Sequence, residues 1–164
     1  MQQVRLGILV ASDKGFSGER KDLVIDTAKE YIGDQAQIVY EKVLPDERQV
    51  LAEAMKEVAD NEVVDILITS GGTGLSPRDV TPEATMDVIE RSAMGIAEGI
   101  RAYSSRFTNK AMLSRGVAGI RRRTLIINLP GSPKAVKESL ECILPLFPHM
   151  AETLRGEAYE CGRE

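Results

Sequence analysis

Three short runs of almost continuous apolar residues constrain the fold of this chain more than any other feature. They span residues 4–11, 63–69 and 124–129, and a fourth run at 37–44 also has strand character. Continuous apolar runs are typical of parallel strands that helices cover on both faces. Amphipathic segments with apolar residues at helical spacing separate the runs. The alternation predicts an α/β protein, a three-layer α/β/α sandwich with a mostly parallel central sheet.

Helix boundaries are indicated by capping residues between these runs. Gly33 suits the end of a helix, Thr81-Pro82 suits an N-cap followed by the first helical position, and Ser132-Pro133 repeats that signal. The predicted helices span 22–33, 46–61, 82–91, 95–107 and 134–144. The segment 145–164 is expected to hold one more helix and then a loose polar end. No linker or repeat divides the chain, so we assign residues 1–164 to one domain.

Charge and aromatic content argue against nucleic-acid binding. The formal net charge is −4 and tryptophan is absent, so neither a basic surface nor a base-stacking platform is expected. Arg121-Arg122-Arg123 is the local exception. This run is interpreted as a solvated turn before a strand, with a contribution to a phosphate site or a subunit interface as the alternative.

The sequence also predicts a protein of the reducing cytoplasm without a membrane anchor. No apolar run approaches the length of a membrane span, and a strand pattern begins almost at Met1, so we expect neither a leader nor an anchor. Cys142 and Cys161 are too few for a disulfide framework and do not have the spacing of metal ligands.

The segment 69–82 has the pattern of an anion site. It joins a buried strand to a helix start through a loop that contains Gly71, Gly72 and Gly74. Glycines let backbone N–H groups approach a phosphate closely, and a helix N-terminus favours negative charge. The spacing matches neither the P-loop nor the dinucleotide-binding fingerprint. Taken alone, such a glycine turn is more often structural.

Asp79 conflicts with a simple phosphate loop, because a carboxylate repels phosphate unless a metal or a proton lies between them. Asp46 follows the second strand, so both carboxylates are expected at the carboxyl edge of the sheet, where ligands bind in open α/β proteins. Two carboxylates plus substrate phosphates suit Mg²⁺. Structural alternatives remain, since Asp79 could be a helix-end carboxylate, Asp46 could cap its own helix, and Ser132 is expected to be an N-cap.

The loops after the other strands add Ser12-Asp13 and Pro130-Gly131-Ser132 to the same edge. No Ser/His/Asp or Cys/His constellation can be formed near these loops, which disfavours a protein nucleophile. His149, the only histidine, receives no catalytic role.

Several motifs together resemble the molybdopterin adenylyltransferase family, which is similar to the G domain of gephyrin. They are Ser12-Asp13 with Gly18, and the segments 44–47, 70–74, 77–82, 113–115 and 128–133, in the family's order. The resemblance runs from about residue 4 to residue 148. It implies a homotrimer that transfers AMP from Mg-ATP to the terminal phosphate of molybdopterin, and a separate protein that accepts the product and inserts molybdate.

The resemblance also implies site residues. It places the catalytic aspartates, which are also the implied magnesium ligands, at Asp46 and Asp79. The implied phosphate and pterin contacts are Ser12, Asp13, Gly71, Gly72, Thr73, Gly74, Ser114, Pro130, Gly131 and Ser132. Arg78 or Arg115 is expected to stabilise the charge that develops on pyrophosphate.

One departure from the family pattern concerns the residues after Asp22, where many relatives continue with Ser-Gly. This chain has Leu23, Val24 and Ile25 instead, so Asp22 is left out of the predicted site. Two other functions stay open: a non-catalytic pterin carrier or scaffold of the same fold, and a different nucleotide-using enzyme.

Overall fold

A six-stranded sheet forms the centre of the molecule. The computed structural model describes residues 2–157, and the strands are β1 (Arg5–Ala11), β2 (Gln37–Leu44), β3 (Ile66–Ser70), β4 (Arg91–Ser92), β5 (Ala118–Arg121) and β6 (Thr124–Leu129). Their spatial order is β2-β1-β3-β6-β5-β4. The first four strands in this order run parallel, and the pairings of β5 with β6 and of β4 with β5 are antiparallel.

Helices cover both faces of the sheet. They are α1 (Asp13–Ser17), α2 (Val24–Ile32), α3 (Arg48–Asp60), α4 (Thr81–Val88), α5 (Met94–Ser104), α6 (Pro133–Ile143) and α7 (Phe147–Arg155). Buried residues of α2, α5, α6 and α7 share one apolar core with the sheet, and those of α3 and α4 share a second core on the opposite face. These three layers confirm the predicted α/β/α sandwich.

The alternation of side chains along β1 explains why its sequence is apolar throughout. Leu6, Ile8 and Val10 belong to the core under α2 and α6, whereas Leu9 and Ala11 belong to the core under α3 and α4. Successive residues of a strand point to opposite faces, so a strand between two helical layers needs apolar residues at every position.

All four predicted strands are confirmed, but the sequence did not predict β4, β5 and the short helix α1. Strand β4 has two exposed residues and β5 has four residues in all, so neither carries a periodic apolar pattern long enough to recognise. The helix expected in 145–164 is α7, and Gly33 ends α2 with φ 52° as predicted. The expected loose polar end, with Cys161, lies outside the described residues. None of the helices in 2–157 has the length and apolar character needed to cross a membrane.

The parallel part of the sheet determines where the loops meet. Since β1, β2, β3 and β6 run in the same direction, the segments that follow them all leave from one edge of the sheet. These segments contain the predicted site residues except Ser114 and Arg115, which come just before β5. Because β5 is antiparallel to β6, the segment that enters β5 reaches the same edge.

Candidate active site

The glycine loop after β3 is packed directly against the ends of two neighbouring strands. Gly71 and Gly72 have φ angles of 92° and 66°, in the left-handed region that favours glycine. A Cβ on Gly71 would overlap the carbonyl oxygen of Ala11 at the end of β1. A Cβ on Gly131, after β6, would lie 3.2 Å from the Cα of Gly71. Three backbone segments therefore approach closely here, and no side chain fits between them.

Two clefts open beside this loop. The first has a volume of about 540 Å³ and is lined, among others, by the predicted residues Ser12, Asp46, Gly71 and Ser132. The second has a volume of about 400 Å³ and is lined by the predicted residues Thr73, Gly74, Ser114 and Pro130.

Both clefts share Gly72, Asp79 and Gly131 in their linings. The two cavities therefore meet at the glycine loop, with the Asp79 carboxylate at the junction. A site of this shape can hold two ligands whose reacting ends meet beside Asp79.

Asp46 is held by a reciprocal pair of hydrogen bonds with Asp13. The backbone N–H of Asp13 donates to Oδ2 of Asp46 at 3.0 Å, and the N–H of Asp46 donates to Oδ1 of Asp13 at 3.0 Å. The alternative that Asp46 caps its own helix is wrong, since Glu47 precedes α3 and no side chain caps that helix end. Burial raises the pKa of the Asp46 carboxyl above its ordinary value. The hydrogen bond from the N–H of Asp13 lowers this pKa in part, and the negative charges of the Asp13 and Asp79 carboxylates raise it further.

The side chains of Asp13 and Arg78 bind each other outside the two clefts. The Arg78 guanidinium donates to both carboxylate oxygens of Asp13, at 3.1 and 2.9 Å, and to Oε1 of Glu47 at 3.0 Å. The Arg78 hydrogen bonds and the N–H of Asp46 lower the pKa of Asp13. Neither side chain lines a cleft. In this structure the pair supports Asp46, and the direct phosphate contacts predicted for both residues stay predictions.

Arg115 holds the glycine loop from the side of the second cleft. Its guanidinium donates to the carbonyl oxygens of Gly74 and Asp79, both at 2.8 Å, and forms an ion pair with Glu83 of α4. Its backbone N–H donates to the carbonyl oxygen of Thr73 at 2.8 Å. Arg115 is absent from both cleft linings, so its predicted contact with pyrophosphate also stays a prediction.

Asp79 is oriented from inside its own loop. The N–H of Ser76 donates to its Oδ2 at 2.9 Å, and the N–H of Asp79 donates back to the Ser76 carbonyl oxygen at 2.9 Å. One carboxylate oxygen thus has a backbone partner while Asp79 lines both clefts.

Of the two predicted N-caps, one is confirmed and one is wrong. Ser132 accepts from the N–H of Ala135 at 3.2 Å and caps α6 as predicted. Thr81 is instead the first helical residue of α4, Val80 occupies the capping position, and no side chain caps this helix. Ser12 is a cap that the sequence did not predict, since it accepts from Gly15 at 3.0 Å at the start of α1.

A buried polar cluster fixes α4 to the strand ends beneath the site. Nδ2 of Asn128 donates to the hydroxyls of Thr69 and Thr85, both at 2.9 Å, and Oδ1 of Asn128 accepts from Val117 at 3.1 Å. The Thr85 hydroxyl donates to the carbonyl oxygen of Thr81 at 2.8 Å. Buried polar groups with partners favour one arrangement of these elements, which positions the glycine loop.

Comparison with known proteins identifies the family. Residues 7–149 match the family described as a probable molybdopterin binding domain. The chain belongs to this molybdopterin-binding family. A curated relative, the molybdopterin adenylyltransferase of Helicobacter pylori strain 26695, is 37% identical over 160 residues, which cover 95% of this chain and 90% of that protein. The molybdopterin adenylyltransferase of Escherichia coli K12 is 38% identical, over 86% of this chain and 74% of that protein.

Solved structures of the molybdopterin-binding family show the same architecture. The molybdopterin biosynthesis enzyme MoaB of Thermus thermophilus is 45% identical and superposes with a TM-score of 0.88, over 96% of this chain and 99% of that chain. A structure of MogA is 36% identical with a TM-score of 0.85, over 92% and 99% of the two chains.

Several residues that line the clefts of this family member were not predicted from the sequence. The first cleft also contains Arg20, Lys21 and Asp22, and the second contains Arg101 and Lys110. Asp22 accepts from the N–H of Val24 at 2.9 Å, so its carboxylate also holds the start of α2. The adjacent basic residues Arg20 and Lys21 are visible in the sequence, but only the fold shows that they lie in the same cleft as the glycine loop.

The arginine run 121–123 lies away from the site. Arg121 and Arg122 both bind Asp60 of α3, at 2.8 and 3.2 Å, in the turn between β5 and β6. That turn is at the amino end of β6, opposite the clefts. The solvated-turn interpretation therefore fits the structure better than a contribution to the phosphate site.

Proposed function

We propose that this protein is a molybdopterin adenylyltransferase, which transfers AMP from Mg-ATP to the terminal phosphate of molybdopterin and releases pyrophosphate. The observation that carries the proposal is the junction of two clefts at Gly72, Asp79 and Gly131. The reaction joins two large substrates through their phosphates, so it needs two cavities that meet at a phosphate-binding loop. Family membership and the activity named for the Helicobacter pylori relative support the same function.

We assign the nucleotide to the first cleft. Its lining combines two basic side chains, Arg20 and Lys21, with the N-terminus of α6 at Ser132 and the glycine loop. A triphosphate needs cationic groups and free backbone N–H groups of this kind.

The second cleft suits the pterin. Its lining combines apolar side chains, including Ile100 and Leu113, with the hydroxyls of Ser104 and Ser114. Ser104 is buried, and its hydroxyl has no hydrogen-bond partner within residues 2–157. A flat ring system with polar edges would use both kinds of group.

The residues present fit magnesium only when substrate phosphates complete its coordination. Within residues 2–157 no group of three or more His, Cys, Asp or Glu side chains could hold a metal ion. Asp46 and Asp79 both line the first cleft, and each has one carboxylate oxygen engaged by a backbone N–H. Two carboxylates with phosphate oxygens are a common magnesium environment. When bound, Mg²⁺ would neutralise phosphate charge and activate the α-phosphorus.

The chain's own contribution is to position the two substrates. An oxygen of the molybdopterin phosphate forms a bond to the α-phosphorus of ATP, the bond from that phosphorus to the bridging oxygen breaks, and pyrophosphate leaves. The AMP group passes directly from one substrate to the other, without a covalent intermediate on a protein side chain. Backbone N–H groups of the loop orient the phosphates, which provides much of the rate in such reactions.

The decisive experiment incubates the purified protein with molybdopterin, ATP and Mg²⁺ and follows pyrophosphate release and the AMP adduct by mass spectrometry. We expect both products, and neither when Mg²⁺ is removed with EDTA. A non-catalytic pterin carrier would bind molybdopterin and release no pyrophosphate. A different nucleotide-using enzyme would consume ATP without forming the adduct.

A homotrimer and transfer of the product to a molybdate-inserting protein complete the proposal. Leu75 and Met112, which are 68% and 74% exposed, are large apolar side chains available to a subunit interface near the second cleft. Light scattering coupled to gel filtration should give the mass of three chains. The cytoplasmic location stays a prediction.

A further inference from the structure

The hydroxyl of Thr81, beside the glycine loop, is a buried polar group that has no hydrogen-bond partner among the described residues. Thr81 is 0% exposed, and its Oγ1 makes no hydrogen bond within the described part of the chain. Buried hydroxyls nearly always have partners, and an unpartnered one lowers stability. The hydroxyls of Thr69 and Thr85, two other buried threonines nearby, are both hydrogen bonded.

Its position relates it to Asp46. A Cβ on Gly72 would overlap Oγ1 of Thr81 and would lie 3.1 Å from Oδ1 of Asp46. The hydroxyl and the carboxylate oxygen therefore approach the same face of Gly72, and the absence of a side chain there leaves the space between them open. The backbone of Thr81 is fixed to the same glycine, because its N–H donates to the Gly72 carbonyl oxygen at 3.1 Å.

The two groups complement each other chemically. Oδ2 of Asp46 already accepts the N–H of Asp13, whereas Oδ1 is the oxygen on the Thr81 side. A hydroxyl is a donor that lacks an acceptor here, and a carboxylate is an acceptor only. Hydrogen bonds of catalytic groups are often long in the empty site and shorten when the substrate is bound.

We propose that Thr81 is a positioning residue, whose hydroxyl donates a hydrogen bond to Oδ1 of Asp46 in the loaded site and orients that carboxylate toward magnesium. This inference rests on the proposed function, because it assumes the metal role of Asp46. Carboxylates that bind metals are themselves held by hydrogen bonds, and loss of such a bond lowers metal affinity about 10- to 100-fold.

The test compares Thr81→Val, which keeps the shape and removes the hydroxyl, with Thr81→Ser, which keeps the hydroxyl. Mn²⁺ binding is measured by electron paramagnetic resonance in the presence of α,β-methylene-ATP, whose α–β linkage is not cleaved, so the readout does not depend on turnover. We expect about 10-fold weaker Mn²⁺ binding for Thr81→Val and recovery to within about twofold for Thr81→Ser. Because Thr81→Val removes a buried hydroxyl that has no partner within residues 2–157, this variant should melt no lower than the wild type.

The matched control is Thr124→Val, which removes a buried hydroxyl at the amino end of β6 that donates to the Val64 carbonyl oxygen at 2.9 Å. This control should melt lower and bind Mn²⁺ like the wild type. Equal Mn²⁺ affinity of Thr81→Val and the wild type would overturn the assignment. Should Thr81→Val not fold, Thr81→Ala is judged by the same Mn²⁺ titration.

Failure of the inference is distinguishable from failure of the proposed function. A wild type that forms the AMP adduct, with unchanged Mn²⁺ affinity in Thr81→Val, refutes only the role of Thr81. A wild type that forms no adduct, with Mn²⁺ affinity that depends on the Thr81 hydroxyl, refutes the transferase and supports the positioning role.

Discussion

Two aspartates at opposite edges of the sheet differ in how the protein satisfies them. Asp65, just before β3, is 2% exposed and accepts hydrogen bonds from the guanidinium groups of Arg5 and Arg155, at 3.0 and 2.6 Å. Burial alone would raise the pKa of Asp65, but these hydrogen bonds outweigh it and hold the pKa below 3.8. Asp46 receives only a backbone N–H on one oxygen, and its pKa is raised.

The contrast separates a structural carboxylate, Asp65, from one that we propose to be functional, Asp46. Asp65 joins the start of β1 to α7, and its arginines leave it no capacity for another ligand. Asp46 has two carboxylates nearby and no arginine bonded to it, an arrangement that a bound cation would relieve. Acidic groups that lack a paired positive charge at the carboxyl edge of an α/β sheet are expected at a ligand-binding site.

The largest effect should come from removing the charge of the two proposed catalytic carboxylates. Asp46→Asn and Asp79→Asn should each lower AMP transfer at least about 100-fold, since electrostatic groups of an active site typically contribute that much. Folding should be preserved, because neither carboxylate is held by an arginine side chain. Pyrophosphate release at saturating ATP and molybdopterin, with melting curves alongside, measures both quantities.

The control for these variants is Asp87→Asn, which removes a carboxylate of α4 that pairs with Arg48 outside both clefts. It should transfer AMP at the wild-type rate. Wild-type turnover in either Asp46→Asn or Asp79→Asn would contradict the catalytic assignment.

Asp65→Asn should have the opposite effects to those of Asp46→Asn and Asp79→Asn. It should lower the stability of the fold strongly and leave the rate of AMP transfer unchanged. Breaking a buried ion pair by removing one partner costs about 3 kcal/mol, because the remaining charge is left uncompensated. For a chain of this size, that corresponds to a melting temperature lower by about 6–12 °C. The rate of AMP transfer per folded molecule should stay unchanged well below the melting temperature. A variant that melts like the wild type would show that Arg5 and Arg155 find other partners.

The fold was predictable from the sequence where strands are long and buried. The run 63–69 could be recognised because each face of β3 needs apolar residues. The strands β4 and β5 escaped recognition because Arg91, Ser92 and Arg121 are polar, and because β4 pairs with β5, which in turn pairs with β6. Antiparallel edge strands of this kind are defined by tertiary pairing and not by local pattern.

The site was predictable at the level of loops but not of contacts. Parallel strands bring Asp46 and Asp79 to one edge, and a glycine loop between a buried strand and a helix start has the pattern of an anion site. Local pattern could not show that Asp13 binds Arg78, which is 65 residues away, because long-range ion pairs have no sequence signature. Thr81 was wrongly predicted as an N-cap. The pair Thr-Pro also occurs where the threonine is itself the first residue of the helix, as it is in α4.

Acid should remove the stabilising role of Asp65. Its pKa in the folded protein lies below the ordinary value of 3.8, so the ionised form stabilises the fold fully above that value. As the pH falls through the folded pKa, this contribution is lost. The free energy of unfolding of the wild type should therefore exceed that of Asp65→Asn by a constant amount between about pH 5 and 8, and the difference should shrink below about pH 4. Urea unfolding across this range measures it, and a difference that persists at low pH would mean that charge is not its cause.

The smallest effect should come from Arg115, which supports the proposed catalytic residue Asp79 through its backbone. Arg115 fixes the Asp79 backbone and the Gly74 carbonyl with separate N–H groups, and a lysine has the charge but not the fork that reaches both. Arg115→Lys should lower AMP transfer about 10-fold by loosening the loop, less than the loss of a carboxylate itself. Arg48→Lys, in the exposed pair with Asp87, is the matched control and should be neutral. A loss in Arg115→Lys as large as that in Asp79→Asn would place Arg115 in contact with the transferred phosphate, and equal rates in both lysine variants would show that the loop keeps its shape without the arginine.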